Sequence, residues 1–405
     1  MNSQKKHLIF CHKKVGSLDF FLPSGAIDKE IKTTVFVIYD LYIWFIHNNS
    51  KHLKDIYQKN NCTVEFKLGS LYGNKGYINN SFYLRIINFF LFLCFKLKIK
   101  KSNFFITLLD HLLINKRRIN KSLNFKGLID EKSKIWFEWS KTANVAKSIF
   151  ESLIKMKYEI NFLPDATIVQ NYHTISENIK SLNYKKMIFH LPDISQIKKF
   201  NEDYPEYIKN TFFLRPGYTI NKWEELYQKN HKMITNKGIT IDILFIAQKT
   251  TTKNTKDDNI QFIDKLEHRK NIKEVVSVVD KLGINKKIIF HYRPHPGLAK
   301  EDDLKWVKDY IEKHHILFKD CSNVCIWDTI YTVDVLLSEF TTAFLNASII
   351  DKKYMIRNHS FDFFYEFKAI RSAYKRFLDN NEIIYQSDLN KVLEAKLKIY
   401  ETVHY

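Results

Sequence analysis

The chain has 405 residues, 45% of them apolar and 15% aromatic, enough to bury sizeable cores and to exclude a disordered protein. That length accommodates two domains of about 150–200 residues each. The formal charge of +20, from 64 Lys and Arg against 44 Asp and Glu, is spread along the whole sequence; with no nucleic-acid motif and no long block of like charge, no nucleic-acid partner is expected.

The amino-terminal half alternates short strands with helical stretches. Residues 7–11 and 34–39 read as strands, 50–60 as a helix and 63–67 as a strand. The polar start, Met1 to Lys6, followed by only a short apolar run, reads as a first strand rather than a secretory leader. Residues 81–98 and 103–118 are strongly apolar helices, and 141–156 is amphipathic. The apolar run from Ile86 to Phe95 spans about 15 Å as a helix, half of the ~30 Å hydrocarbon thickness, so no transmembrane helix is expected. Residues 166–170 and 186–190 read as two more buried strands. Repeated strand–helix alternation predicts an α/β domain with a doubly wound parallel sheet over residues 1–220.

Composition shifts between residues 201 and 240, through Tyr204-Pro205, Arg215-Pro216-Gly217 and a polar helix at 222–234. A hinge is therefore expected at 221–238. A fresh α/β unit follows over 239–360. Its expected order is a strand at 239–247, a helix at 261–281, a strand running into Arg293, a helix at 302–315, and strands at 316–319 and 333–337. A helix at 341–350 and a strand at 354–357 close it. Residues 361–405 are expected to form helices that return over the other domain.

Three strand ends of this second unit carry polar loops: Gln248–Thr252, Arg293–Pro296 and Ser338–Thr342. In a parallel sheet they share one edge, and ligands of open α/β sheets bind at that edge. Pro294 and Pro296 stiffen the loop between Arg293 and His295 by fixing φ. Arg293 offers charged donors, His295 a ring nitrogen, and Gln248, Thr250, Ser338, Thr341 and Thr342 further polar groups, a set suited to a nucleotide phosphate.

Phe245-Ile246-Ala247-Gln248, Arg293-Pro294-His295-Pro296 and Ser338-Glu339-Phe340-Thr341-Thr342 together resemble the pattern of bacterial GT-B sialyltransferases and polysialyltransferases. A related pattern occurs in CDP-glycerol glycerophosphotransferases and in capsule Kdo transferases. The resemblance covers residues 240–360. It implies two Rossmann-like domains facing a cleft and a metal-independent, inverting glycosyltransferase. The implied donor is a CMP-linked sialic or related ulosonic acid, and the acceptor a cell-surface glycan or its lipid-linked precursor. No cofactor beyond the donor is implied. Phosphate contacts fall on His295, Pro296 and the hydroxyl turn. A CDP-glycerol or CDP-ribitol phosphotransferase and a non-catalytic nucleotide-binding assembly partner are the alternatives.

The same family carries an acidic pair before a glycine that includes the general base. Asp130-Glu131 matches it here, with Lys132 where the family has glycine. Asp110, beside His111 in an apolar helix, and Asp193, after His190-Leu191-Pro192, are rival carboxylates. Five scattered cysteines (Cys11, Cys62, Cys94, Cys321, Cys325) form neither a disulfide framework nor a complete metal site, which fits a reduced, cytoplasmic protein. Lys96, Lys98, Lys100, Lys101 and Lys116-Arg117-Arg118 flank the apolar helices, a pattern that suits peripheral contact with an anionic membrane face.

Overall fold

The computed structural model describes residues 6–11, 33–38, 41–59, 61–68, 86, 89–90, 93, 133–138, 153–163, 184–191, 194–213, 240–248, 250–251, 263–295, 301–330, 333–341, 343–346, 353–357, 374–375, 377–385 and 388–395. The chain divides into two units, Met1–Leu226 and Tyr227–Tyr405.

Runs of β-branched and aromatic residues build the first unit. Its elements are β1 (Lys6–Cys11), β2 (Thr33–Ile38), α1 (Leu41–Asn49), α2 (Lys51–Lys59), β3 (Thr63–Leu68), β4 (Lys134–Glu138), β5 (Ile160–Leu163), β6 (Met187–Leu191), α3 (Ile194–Asp203) and β7 (Thr211–Phe213). All pairings are parallel, in the order β3-β2-β1-β4-β5-β6-β7. Phe162, Phe189 and Phe200 stack in succession beneath β5, β6 and α3.

Three strands, β4, β5 and β7, and two helices, α1 and α3, lie outside the expected set. β4 and β5 are short and carry Glu138 and Asn161, so neither shows the continuous apolar run that marks a strand in sequence. The strand expected at 166–170 lies outside the described residues, as does most of the two apolar helices at 81–98 and 103–118. Helix α1 is apolar nearly all round, so it shows no helical period.

The second unit runs β8 (Ile241–Ile246), β9 (Thr250–Thr251), β10 (Ile263–Asp264), α4 (Lys265–Leu282), β11 (Ile288–Arg293), α5 (Glu301–Lys313), β12 (Leu317–Asp320), α6 (Ile326–Ile330), β13 (Val335–Ser338), α7 (Ala343–Asn346), β14 (Lys353–Ile356) and β15 (Ile383–Ile384). The order β12-β11-β8-β13-β14-β15 is again fully parallel. Strand β8 is buried along its length, as a central parallel strand covered on both faces must be. Helix α4 starts at Asp264, whose carboxylate accepts from Leu266 N at 2.7 Å and Glu267 N at 3.4 Å. It stops at Gly283, where φ is +65° and a side chain would be strained. The core joins Ile243, Phe245, Val276, Phe290, Val307 and Leu337.

Both sheets thus carry the doubly wound order 3-2-1-4-5-6, the first with a seventh strand added. The expected α/β class with two Rossmann-like domains is the observed one.

The described part of 361–405 belongs to the second unit itself. Tyr374 and Phe377 pack on Phe344, β15 extends the sheet, and Leu389, Val392 and Leu393 join its core. These apolar residues find cover on the sheet they extend. Among the described residues no helix is long and apolar enough to cross a membrane.

One face of the first sheet mixes polar and aromatic groups. Trp136 Nε1 donates to His7 Nδ1 at 2.9 Å, and Trp136 also meets the His190 ring at 5.5 Å between centroids. His190 Nε2 lies 3.3 Å from Asn161 Oδ1, and burial lowers its pKa to about 4. The folded value lies below the unfolded value of about 6.5, so between them the unfolded chain binds the extra proton. The stability that neutral His190 contributes is complete above about pH 6.5 and is lost as pH falls toward 4. Discounted for partial exposure, the loss amounts to about 1–3 kcal/mol. Urea unfolding at pH 7 and pH 4.5 should show a smaller loss for His190→Phe than for the wild type; parallel losses would remove this assignment.

Candidate functional site

Strands β11, β8 and β13 lie side by side, so their carboxyl ends form one edge. Register sets Arg293 and Ser338 on either side of Ile246. Past that row emerge Ala247-Gln248, Pro294-His295 and Glu339-Phe340. The chain leaves β8 toward β11 on one side and returns to β13 on the other, so β8/β13 is the switch point at which a crevice opens.

Gln248 is 5% exposed at the end of β8. Its backbone N–H donates to Glu339 Oε2 at 2.8 Å, whereas its side-chain Oε1 is buried with no hydrogen-bond partner among the described residues. An acceptor in that condition costs stability unless a ligand or water donates to it. His295 is half-buried on the loop beyond β11, next to Pro294. Thr250 Oγ1 donates to Asp303 Oδ2 at 3.2 Å, and Asp303 also meets Lys265 Nζ at 2.7 Å. Thr341 Oγ1 accepts from Ala343 N at 3.3 Å.

Two of the expected anion ligands already make bonds within the protein. Arg293 is 8% exposed, and its Nη1 donates to the carbonyls of Cys321 at 3.3 Å and Val324 at 2.5 Å. Those carbonyls lie on a tight turn between β12 and α6, and the guanidinium holds it. Ser338 is fully buried, and its hydroxyl donates to Glu339 O at 2.7 Å. Both therefore build the edge on which the other groups stand. Pro296 and Thr342, like Asp130, Glu131, Asp110 and Asp193, lie outside the described residues.

The most heavily bonded group at the edge is one that the motif reading left without a role. Glu339 is fully buried and accepts from Gln248 N, His268 Nδ1 and Asn271 Nδ2. His268 Nε2 lies 3.0 Å from Tyr292 OH. Burial, then the carboxylates of Glu339, Asp303 and Asp320, hold the Tyr292 phenol well above its usual pKa. A charged residue between Ser338 and Phe340 at the end of an apolar strand was the available signal, because such a residue is partnered or functional.

Cys321 and Cys325 are both buried. Cys321 Sγ lies 3.8 Å from His291 Nδ1, and His291 Nε2 bonds Asp242 Oδ1. The order suggests an activated thiol, but burial pushes Cys321 up to about 11, which keeps it protonated and inert.

In the first unit the switch point lies between β1 and β4, whose carboxyl ends are Cys11 and Glu138. Glu138 is the acidic position that topology brings to that edge.

No protein-family model and no curated protein matches the chain. Solved structures with a similar course include the Methanocaldococcus jannaschii UDP-GlcNAc 2-epimerase in complex with UDP-GlcNAc and UDP, at 12% identity and TM-score 0.42. That match covers 97% of this chain and 92% of the other. The glycosyl transferase family 9 protein of Veillonella parvula matches at 11% identity and TM-score 0.40, covering 98% of each chain. The Burkholderia multivorans trehalose 6-phosphate synthase matches at 7% identity and TM-score 0.40, covering 97% of this chain and 89% of the other.

Proposed function

We propose that the chain is a glycosyltransferase using a nucleotide-activated sugar, with a CMP-linked sialic or related ulosonic acid as donor and a surface glycan or its lipid-linked precursor as acceptor. The observation that carries this reading is the buried Gln248 Oε1, unpartnered among the described residues, at the β8/β13 switch point beside the loop that bears His295. The resemblance of the three loops supplies the donor class. His295 and neighbouring polar groups stabilise negative charge on the departing phosphate. A carboxylate takes the proton of the attacking acceptor hydroxyl, and one displacement inverts the anomeric carbon. Asp130, Glu131 and Glu138 are the candidates for that carboxylate.

Thermal shift of the wild type with CMP, CDP, UDP and GDP tests the donor class, since a ligand that binds only the native state raises its stability. The largest shift is expected with CMP. His295→Ala should weaken CMP binding and transfer while the unliganded melting temperature holds, and turnover should persist in excess chelator. Wild-type turnover by His295→Ala would remove that residue from the phosphate site.

A lipid-linked acceptor would be met at a membrane face. Ile86, Phe89 and Phe90 recur at helical spacing and are 50%, 62% and 44% exposed, in a segment followed by Lys96, Lys98, Lys100 and Lys101. Flotation with anionic vesicles at low salt is the expected behaviour, fading as salt rises. Absence of association at low salt would end the membrane reading.

A further inference from the structure

The carboxylate of Glu339 is expensive to keep: it is 0% exposed, and a buried charge is costly unless every lone pair is answered. Here each oxygen is answered. Oε1 takes Asn271 Nδ2 at 2.7 Å and His268 Nδ1 at 2.9 Å; Oε2 takes Gln248 N at 2.8 Å and lies 3.0 Å from the same His268 nitrogen. Because a carboxylate only accepts, His268 carries its proton on Nδ1 toward Glu339, and in the neutral ring Nε2 accepts from Tyr292 O–H. One side chain thus ties three places together: the end of β8 through Gln248, helix α4 through His268 and Asn271, and strand β11 through Tyr292.

The same pair of strand ends is crossed a second time. Glu339 N donates to Ile246 O at 3.0 Å, while Gln248 N donates back to the Glu339 carboxylate. This reciprocal clasp fixes the backbone on both sides of the switch point. The residue it fixes is Gln248, whose buried Oε1 has no partner among the described residues. An apolar residue at 339 would fill the space without desolvating a charge, yet it could not hold the Gln248 amide.

We propose that Glu339 is a positioning residue for nucleotide binding: its carboxylate, with the proton on His268 Nδ1, clasps the Gln248 amide and so aims the Gln248 side chain at the ligand. The inference rests on the nucleotide reading above and adds the group that orients that site.

Calorimetric titration of the full chain with CMP tests it, with Glu339→Gln as the main variant. The amide keeps the shape but turns an N–H₂ toward a donor. Asp242→Asn serves as a matched lesion. It removes the charge from another buried pair, with His291, six residues from Gln248 along the chain, about 20 Å away. Glu339→Gln should bind CMP about ten-fold more weakly, with faster hydrogen exchange at the Gln248 amide, whereas Asp242→Asn should lose thermal stability and keep wild-type affinity. Asn271→Ala removes a single donor and should weaken CMP about three-fold; it decides the matter if Glu339→Gln does not fold. Wild-type affinity in Glu339→Gln, or in Asn271→Ala where that variant decides, overturns the proposal. Equal loss of affinity in Asp242→Asn also overturns it, because general destabilisation would then suffice. Should the wild type bind none of CMP, CDP, UDP and GDP, the nucleotide reading itself falls, and this inference with it; that result is visible before any variant is made.

Discussion

Replacing the general base by alanine is expected to cut turnover about 10²–10⁴-fold while nucleotide affinity stays at its wild-type value. The split between the two readouts is what marks a base, because it acts on the acceptor hydroxyl and makes no contact with the nucleotide. Topology orders the candidates. Ligands of doubly wound sheets meet the carboxyl ends of strands. Glu138 closes β4 beside β1, the switch point of the first unit. Asp193 follows β6, which ends at Leu191, by two residues, while Asp130 and Glu131 precede Lys134, the first residue of β4. Glu138→Ala is therefore expected to give the largest loss. If Glu138→Ala turns over normally and Asp130→Ala or Glu131→Ala does not, the acidic pair of the resemblance is the base after all.

Much of this architecture was legible because central parallel strands are apolar on both faces. Residues 243–246 and 288–290 show that run, and Asp264 and Gly283 punctuate the helix between them as a cap and a left-handed stop should. The legibility failed where a strand is too short to outweigh one polar residue, at Glu138 and Asn161, and where a helix is apolar over its first six residues, 41–46, and shows no period. The site divides the same way. Strand-end loops announce an edge, so Gln248 and His295 could be placed on it from the sequence. Which polar groups turn into the protein could not, because that depends on carbonyls and carboxylates far along the chain. The Gln248 amide meets Glu339, 91 residues away, and Arg293 meets Val324, 31 residues away.

Arg293 shows what hangs on that difference. As a phosphate ligand, its loss would weaken nucleotide binding and leave stability almost unchanged. As placed here, it donates to Cys321 O and Val324 O and is 8% exposed, so its removal leaves two carbonyls without their charged donor and opens space along its stem. Hydrogen bonds to charged groups contribute about 1.5–3 kcal/mol, and lost packing adds to them, so Arg293→Ala should destabilise the second unit by about 2–4 kcal/mol. The turn it holds also carries Cys321, whose thiol the nearby guanidinium draws downward against the stronger effect of burial. Arg293→Lys keeps the charge but not the planar fork, so it should fall between the alanine variant and the wild type. Urea unfolding reads the outcome as a lower midpoint at unchanged slope. An Arg293→Ala variant as stable as the wild type, with CMP affinity lost, would move this guanidinium from the scaffold of the crevice to its ligand.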